Sequence, residues 1–281
     1  MSNTDDVHER PAWLLPAIVG GAVLILSVFF LYYYFGPTTG EILGTDPEAS
    51  TSTHTIETTI GDLTFNVPVN YTRIPAQRSG GKQKEIALHA LLMDLTPFTT
   101  EKKHLFDSNE ADANVVHFRI HERGKTLPAT RRLDSIYVRY FESATQATPE
   151  NPLEHYTFVD TSGYRDQDLF VFWPEAGEPL LLMCFRETGV IVNPSCSRTL
   201  SLSDGTMLTY RYKRPYQTKW REIDNMLVAL VRSWEAKANK AIGQMGSLDD
   251  TALDLDENSL EDVGSKDATL NSPVILTSAP K

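Results

Sequence analysis

Cys184 and Cys196 stand at the two ends of "CFRETGVIVNPSC", and the chain has no other cysteine. Two chemistries are open to them. On neighbouring antiparallel strands, opposed Cβ atoms come within about 4.5–5.5 Å, close enough for a disulfide in an oxidising compartment. In a reducing compartment the same residues stay buried thiols. A metal pair is disfavoured, because structural zinc sites use close C-x-x-C spacing or Cys/His clusters, and no such partner is grouped with them. "PLLLMCF" and "CSRTLSL" read as the two strands, with Gly189, Asn193 and Pro194 in the loop between.

Other residue types raise other chemistries. "RSGGKQK", Arg78 to Lys84, resembles a phosphate loop, but Ala76 stands where the first Gly belongs and Gln83 where the magnesium-binding hydroxyl belongs. It reads as a basic turn, with Arg78 and Lys82 as candidate anion contacts through side chain or backbone. His117, Arg119 and His121 share one face of a predicted strand, and His89 lies on another. Two histidines four residues apart on a strand are about 13 Å apart, too far to share one ion, so no metal site is read here and the face is expected to be solvated.

"YRYKRPYQTKWR", Tyr210 to Arg221, interleaves Arg211, Lys213, Arg214, Lys219 and Arg221 with four aromatics. The stretch reads first as a strand end and helix start whose aromatics face inward, and the alternative is contact of its basic residues with an acidic partner or anionic headgroups. Nucleic acid is not an expected partner: the formal net charge is −11, whereas nucleic-acid binders are usually basic. No G-x-S-x-G elbow occurs, Ser79, Ser162 and Ser203 lack a recognisable base nearby, and the pairs Asp166/Asp168 and Glu175/Glu178 fall in turn regions. No cofactor is implied. Asn70-Tyr71-Thr72 matches a glycosylation sequon, relevant only in a eukaryotic secretory pathway.

The elements that place these residues begin with Trp13–Phe35, 23 residues without a charge. As a helix it reaches roughly 35 Å, enough for a hydrocarbon core of about 30 Å. Trp13 and Tyr32 to Tyr34 sit at headgroup level. A cleaved signal peptide would be shorter, basic at its start and followed by small residues, so an uncleaved anchor is the reading. Arg10 precedes the helix and no Lys or Arg follows until Arg73, which places residues 1–12 in the cytoplasm and the remainder outside it. That orientation favours the disulfide. Ala17 and Gly21 form a small-xxx-small pair that would let two helices approach as a homodimer.

Residues 36–52 are rich in Gly, Pro, Ser and Thr and read as a flexible, extended linker. Residues 53–242 read as an α+β domain built on a largely antiparallel sheet with two or three packed helices. Strand patterns occur at "THTIETTIGDLTFNVP", with its Gly61-Asp62 turn, and at "KEIALHALLM", "NVVHFRIHER", "EHYTFVD", "QDLFVFWP" and "TMLTYRYK". Ala176-Gly177 and Asp204-Gly205 mark hairpins. A short helix is expected after Thr99 or Thr100, an amphipathic helix along "TRRLDSIYVRYFESA", and a last helix after Pro215 with Trp220, Ile223, Leu227, Leu230, Val231 and Trp234 on its stripe. Residues 243–281 carry eight acids against Lys266 and Lys281 and read as a disordered acidic tail, with "SPVILTS" as its apolar island. The functional expectation is a single-pass membrane protein whose extracytoplasmic domain binds or scaffolds a protein of the envelope, at a bacterial inner membrane. The alternative is a membrane-tethered hydrolase acting on envelope polymers or small ligands, and an inhibitor of a toxin in the same compartment is a third reading.

Overall fold

In the computed structural model, residues 11–149 and 151–236 are described. The expected N-terminal segment up to Arg10, the domain's last residues from 237, and the acidic tail lie outside them. The apolar stretch forms helix α1 (Leu14–Phe35), none of whose residues is buried. Its mean hydropathy and length meet the requirement for crossing a bilayer.

The segment that follows departs from the extended linker expected. Thr38 caps a short helix, α2 (Thr39–Leu43): its hydroxyl accepts from the Glu41 amide at 3.1 Å, and the Glu41 carboxylate accepts from the Thr38 amide at 3.0 Å. This reciprocal pair satisfies two orphan donors, and "TTGE" is the sequence that encodes it. The chain is then tied to the domain, with Glu48 N donating to Arg73 O at 2.7 Å and Ala76 N to Gly44 O at 2.9 Å.

Strands β1 (Thr55–Ile60) and β2 (Leu63–Pro68) make the expected hairpin, joined on β1's other edge by the short parallel strand β3 (Gly81–Lys82). The main sheet comprises β4 (Glu85–Leu91), β5 (Val115–Glu122), β6 (Phe141–Thr145), β7 (Glu154–Phe158), β8 (Gln167–Phe172), β9 (Leu180–Phe185), β10 (Ser195–Ser201) and β11 (Thr206–Lys213). Its order among the described residues is β4-β5-β11-β10-β9-β8-β7-β6, antiparallel throughout. The architecture is α+β, as the strand periodicities imply.

Each face of that sheet has its own core. On one, helix α5 (Trp220–Ser233) lays Trp220, Ile223, Leu227 and Val231 against Leu88, Phe118, Leu208 and Tyr210, and the β1–β2 hairpin completes the layer with Phe65 and Val67. Asp224 holds the helix in register. It accepts from Tyr210 OH at 2.8 Å and pairs with the guanidinium of Arg198. The hairpin is held at its tip, where Thr206 Oγ1 lies 2.7 Å from the Ile60 carbonyl oxygen and 2.8 Å from Asp62 Oδ1. Gly61 is required there: φ is +62°, and a Cβ would meet the Gly205 carbonyl oxygen at 2.3 Å.

On the opposite face, α4 (Ala129–Ser135) covers β7, β8 and β9 through Ala129 and Leu133 against Leu169, Val171 and Leu181. The long amphipathic helix expected along 130–144 does not form. The helix stops at Ser135, Tyr137–Tyr140 make a 3-10 turn, and Phe141–Thr145 become the edge strand β6. Aromatic and β-branched residues from Ile136 onward have weak helix propensity, and pairing with β7 gives their backbone a better set of partners. Over β4, the segment 92–114 folds back across the sheet, carrying the short helix α3 (Lys103–Phe106).

Candidate functional site

One rung of the main sheet carries the site. His89 on β4 is paired with His117 on β5, His117 with Arg211 on β11, and Arg211 with Ser197 on β10. Directly opposed residues point to the same face, so these side chains form one row. The solvated face expected for the histidines is found only in part. Arg119 is exposed and pairs with Glu85 at 3.2 Å. His89 is only 6 % exposed, stacked under Phe98 and Phe106 with ring centroids 6.0 and 4.7 Å away. The segment 92–114 thus covers what a half-buried strand pattern leaves open, and β4 is buried on both faces toward its end.

Two cavities open along this row and share His117. The smaller, about 120 Å³, is lined by Arg73, His89, His117, Glu48 and Asp107 together with Phe98 and Phe106. The larger, about 340 Å³, lies between β5 and β11, the 108–113 loop and the β9–β10 loop. His117, Arg211 and Lys213 form its polar side, and Phe185, Ile191, Val192 and Pro194 its apolar side. No Asp or Glu lines it. Its two rims are tied together through Asn109: Lys213 Nζ donates to Asn109 Oδ1 at 2.7 Å and to Asn193 O at 3.0 Å, and Asn193 Nδ2 donates to Asn109 O at 2.9 Å. Tyr216 OH donates to Asp112 O at 2.9 Å and fixes the same loop from the β11 side.

Cations dominate the electrostatics around the two histidines, with Glu48 and Asp107 on the smaller cavity and Glu110 acting on Lys213 as the nearby acids. Burial, reinforced by Arg73 and Arg78, lowers His89 to about 4. Burial, with Arg73, Arg211, His89 and Lys213 around it, lowers His117 to about 3. Both rings are therefore neutral at pH 7. His89 Nε2 and His117 Nδ1 are buried without a hydrogen-bond partner. Among the described residues, neither Arg73 nor Arg211 has a carboxylate within salt-bridge distance. Burial and Arg211 depress Arg73 below the usual guanidinium range.

The cysteines form a disulfide, Cys184–Cys196, from directly paired positions of β9 and β10. It closes the loop that makes the apolar wall of the larger cavity. Val190 is 93 % exposed and Val192 65 % exposed on that loop.

The basic residues singled out in the sequence are dispersed by the fold. Arg211 and Lys213 reach the larger cavity. Arg214 turns to the other side of the sheet and pairs with Asp168, which also accepts from Arg186 Nε at 2.7 Å and has His155 Nε2 at 3.3 Å. Arg221 stacks over Phe172 and Trp220, 4.8 and 5.0 Å from the ring centroids. Arg78 donates to Thr72 Oγ1 at 2.9 Å and to the Glu48 carbonyl. Lys82 is exposed on β3, and Lys219 is exposed before α5. The stretch read as a basic turn at 78–84 follows a 3-10 turn at Pro75–Ser79, and Gln83 Nε2 donates to the Gln77 and Gly80 carbonyls at 2.9 and 3.1 Å. Nothing local in the sequence marks Arg73, Asn109 or Asn193 as site residues; the period-2 register of His89 and His117 is the available signal. Among the described residues no group of three or more His, Cys, Asp or Glu could hold a metal ion.

No family model matches the chain, and no curated protein matches it. Two solved structures resemble it. Smlt3025, an immunity protein of the Stenotrophomonas maltophilia type IV secretion system, is 12% identical with a TM-score of 0.49, covering 66% of this chain and 94% of its own. FrpD, an iron-regulated outer membrane lipoprotein of Neisseria meningitidis, is 16% identical with a TM-score of 0.44, covering 67% of this chain and 96% of its own. At these values neither neighbour assigns a role to any residue of this chain.

Proposed function

We propose that the chain is a single-pass membrane protein of the cell envelope, with residues 1–12 in the cytoplasm, 13–35 across the bilayer and the domain 53–242 outside the cytoplasm as a binding or scaffolding module for an envelope protein. The reading rests on one conjunction. A disulfide joins adjacent strands of a domain that follows an apolar helix with no buried residue. Cysteine pairs of this kind persist in oxidising compartments, and an apolar surface of that length is costly in water. The polar row, the exposed Val190 and Val192, and two open cavities give the domain surface to bind with.

Topology is tested with alkaline phosphatase fusions after residues 12 and 52. The fusion after residue 52 is expected to be active and the one after residue 12, which lacks the apolar segment, serves as the inactive control; an inactive fusion after residue 52 overturns the orientation. Binding is tested with a photo-cross-linking residue in place of Val190 in intact cells. A discrete adduct with an envelope protein is expected; an adduct-free pattern across repeated experiments counts against the module.

A further inference from the structure

The larger cavity has the composition of a receptor for a charged group borne on an apolar residue. On one side stand Arg211, which no acid pairs among the described residues, and the unpartnered Nδ1 of His117. Lys213 adds a charge whose hydrogen bonds go to neutral oxygens of Asn109 and Asn193, and Glu110, which does not line the cavity, acts on it from the 108–113 loop. On the other side lies an apolar wall that continues outward to Val190. The rims are cross-tied through Asn109, and the wall belongs to a loop closed by a disulfide. A site assembled before its ligand arrives loses less freedom on binding. The volume, about 340 Å³, falls at the small end of ligand sites.

The chemistry of the cations narrows the ligand. A guanidinium matches a planar carboxylate with two parallel N–H donors. Cations are excluded by the positive surroundings, and a purely apolar ligand would leave Arg211 and His117 without partners. Because the apolar wall runs to an exposed loop tip and stays open to solvent, a ligand chain can enter and leave past it. We propose that this cavity receives an acidic side chain flanked by aliphatic residues, presented on an extended segment of a protein partner. This deepens the binding-module reading and rests on it.

The test uses the full chain in detergent micelles and a fluorescein-labelled, acetylated Ala-Leu-Asp-Leu-Ala amide, with its Asn analogue as the uncharged control. Fluorescence anisotropy is expected to saturate for the acidic peptide below about 1 mM, with the Asn peptide at least about tenfold weaker. Arg211→Gln is expected to remove that preference, while Lys125→Gln, a change of the same charge on the exposed loop after β5, preserves it. Equal binding of the two peptides, no binding of either, or a preference that survives Arg211→Gln overturns the proposal. Binding of free N-acetylleucine without binding of the acidic peptide also overturns it, because the site would then take a small acid. These outcomes are independent of topology. If Val190 cross-links to an envelope protein while the peptides fail, the module stands and this site falls.

Discussion

His89 is a base held neutral by its surroundings, and its cost is readable as a pH dependence. In the unfolded chain it takes up a proton near 6.5, whereas in the native protein it does so only near 4. The unfolded state therefore binds more protons between those values, so stability is full above pH 6.5 and declines as pH falls toward 4, by roughly 3 kcal/mol for this residue. The groups near the ring are Arg73, Arg78 and His117, with Glu48 and Asp107 across the small cavity. His89→Leu is expected to flatten the profile of thermal unfolding against pH in that window; a profile as steep as wild type assigns the loss elsewhere. Asp168 works in the opposite sense. Burial penalises its charge, but Arg214 and Arg186 outweigh it and hold its carboxyl below 3.8. Its contribution is present above that value and is lost as pH falls through the lower native one. Arg214 was a candidate partner contact in the sequence and is consumed by this internal pair. Nothing near position 214 announces an acid 46 residues earlier.

At the scale of elements, the seam between β9 and β10 stands out. These strands pair at two positions, against six for β8 with β9 and seven for β10 with β11. The eight strands are thus two antiparallel halves joined where the disulfide sits. Replacing both cysteines by alanine is expected to lower stability by about 3 kcal/mol, the value for closing a loop of this length. Amide hydrogen exchange should rise first at this seam; unchanged protection there would show that backbone pairing alone suffices. Leu227→Ala, at the fully buried centre of α5, is expected to cost about 2–5 kcal/mol in chemical denaturation. Strands, hairpin turns and the α5 stripe were legible because alternation and 3.6-residue spacing are local signals. The disulfide was legible because its strands are consecutive. The covering of His89 by the 92–114 segment was not: Met93 and Leu95 turn the chain with positive φ, at 78° and 49°, a conformation their side chains do not favour and no composition rule anticipates. The early end of α4 was hidden for a related reason, since Leu133, Ile136, Tyr137, Tyr140 and Phe141 keep helical spacing while β7 pairs with the backbone only from Phe141 onward.

At the scale of the molecule, the proposed anchor makes a direct prediction: alkaline carbonate should leave the full chain in the membrane pellet, and detergent should release it. Recovery in the carbonate supernatant removes the membrane reading and the envelope role with it. The charge of the whole, −11, accompanies a locally positive row on the β5–β11 face, so attraction of an acidic segment is a property of that face and is expected to weaken as salt rises.

The knot of hydrogen bonds that ties Gly44 and Glu48 to Ala76 and Arg73 has a mechanical side. With α1 in a bilayer, only Gly36 to Thr38 separate the end of that helix from the next, a leash of about 10 Å at most. Tension on the stem is delivered into the stretch just ahead of β4, close to the smaller cavity, rather than spent on straightening slack chain. The head is then expected to ride close to the lipid surface with little swivel, and whatever engages it must come within a few nanometres of that surface.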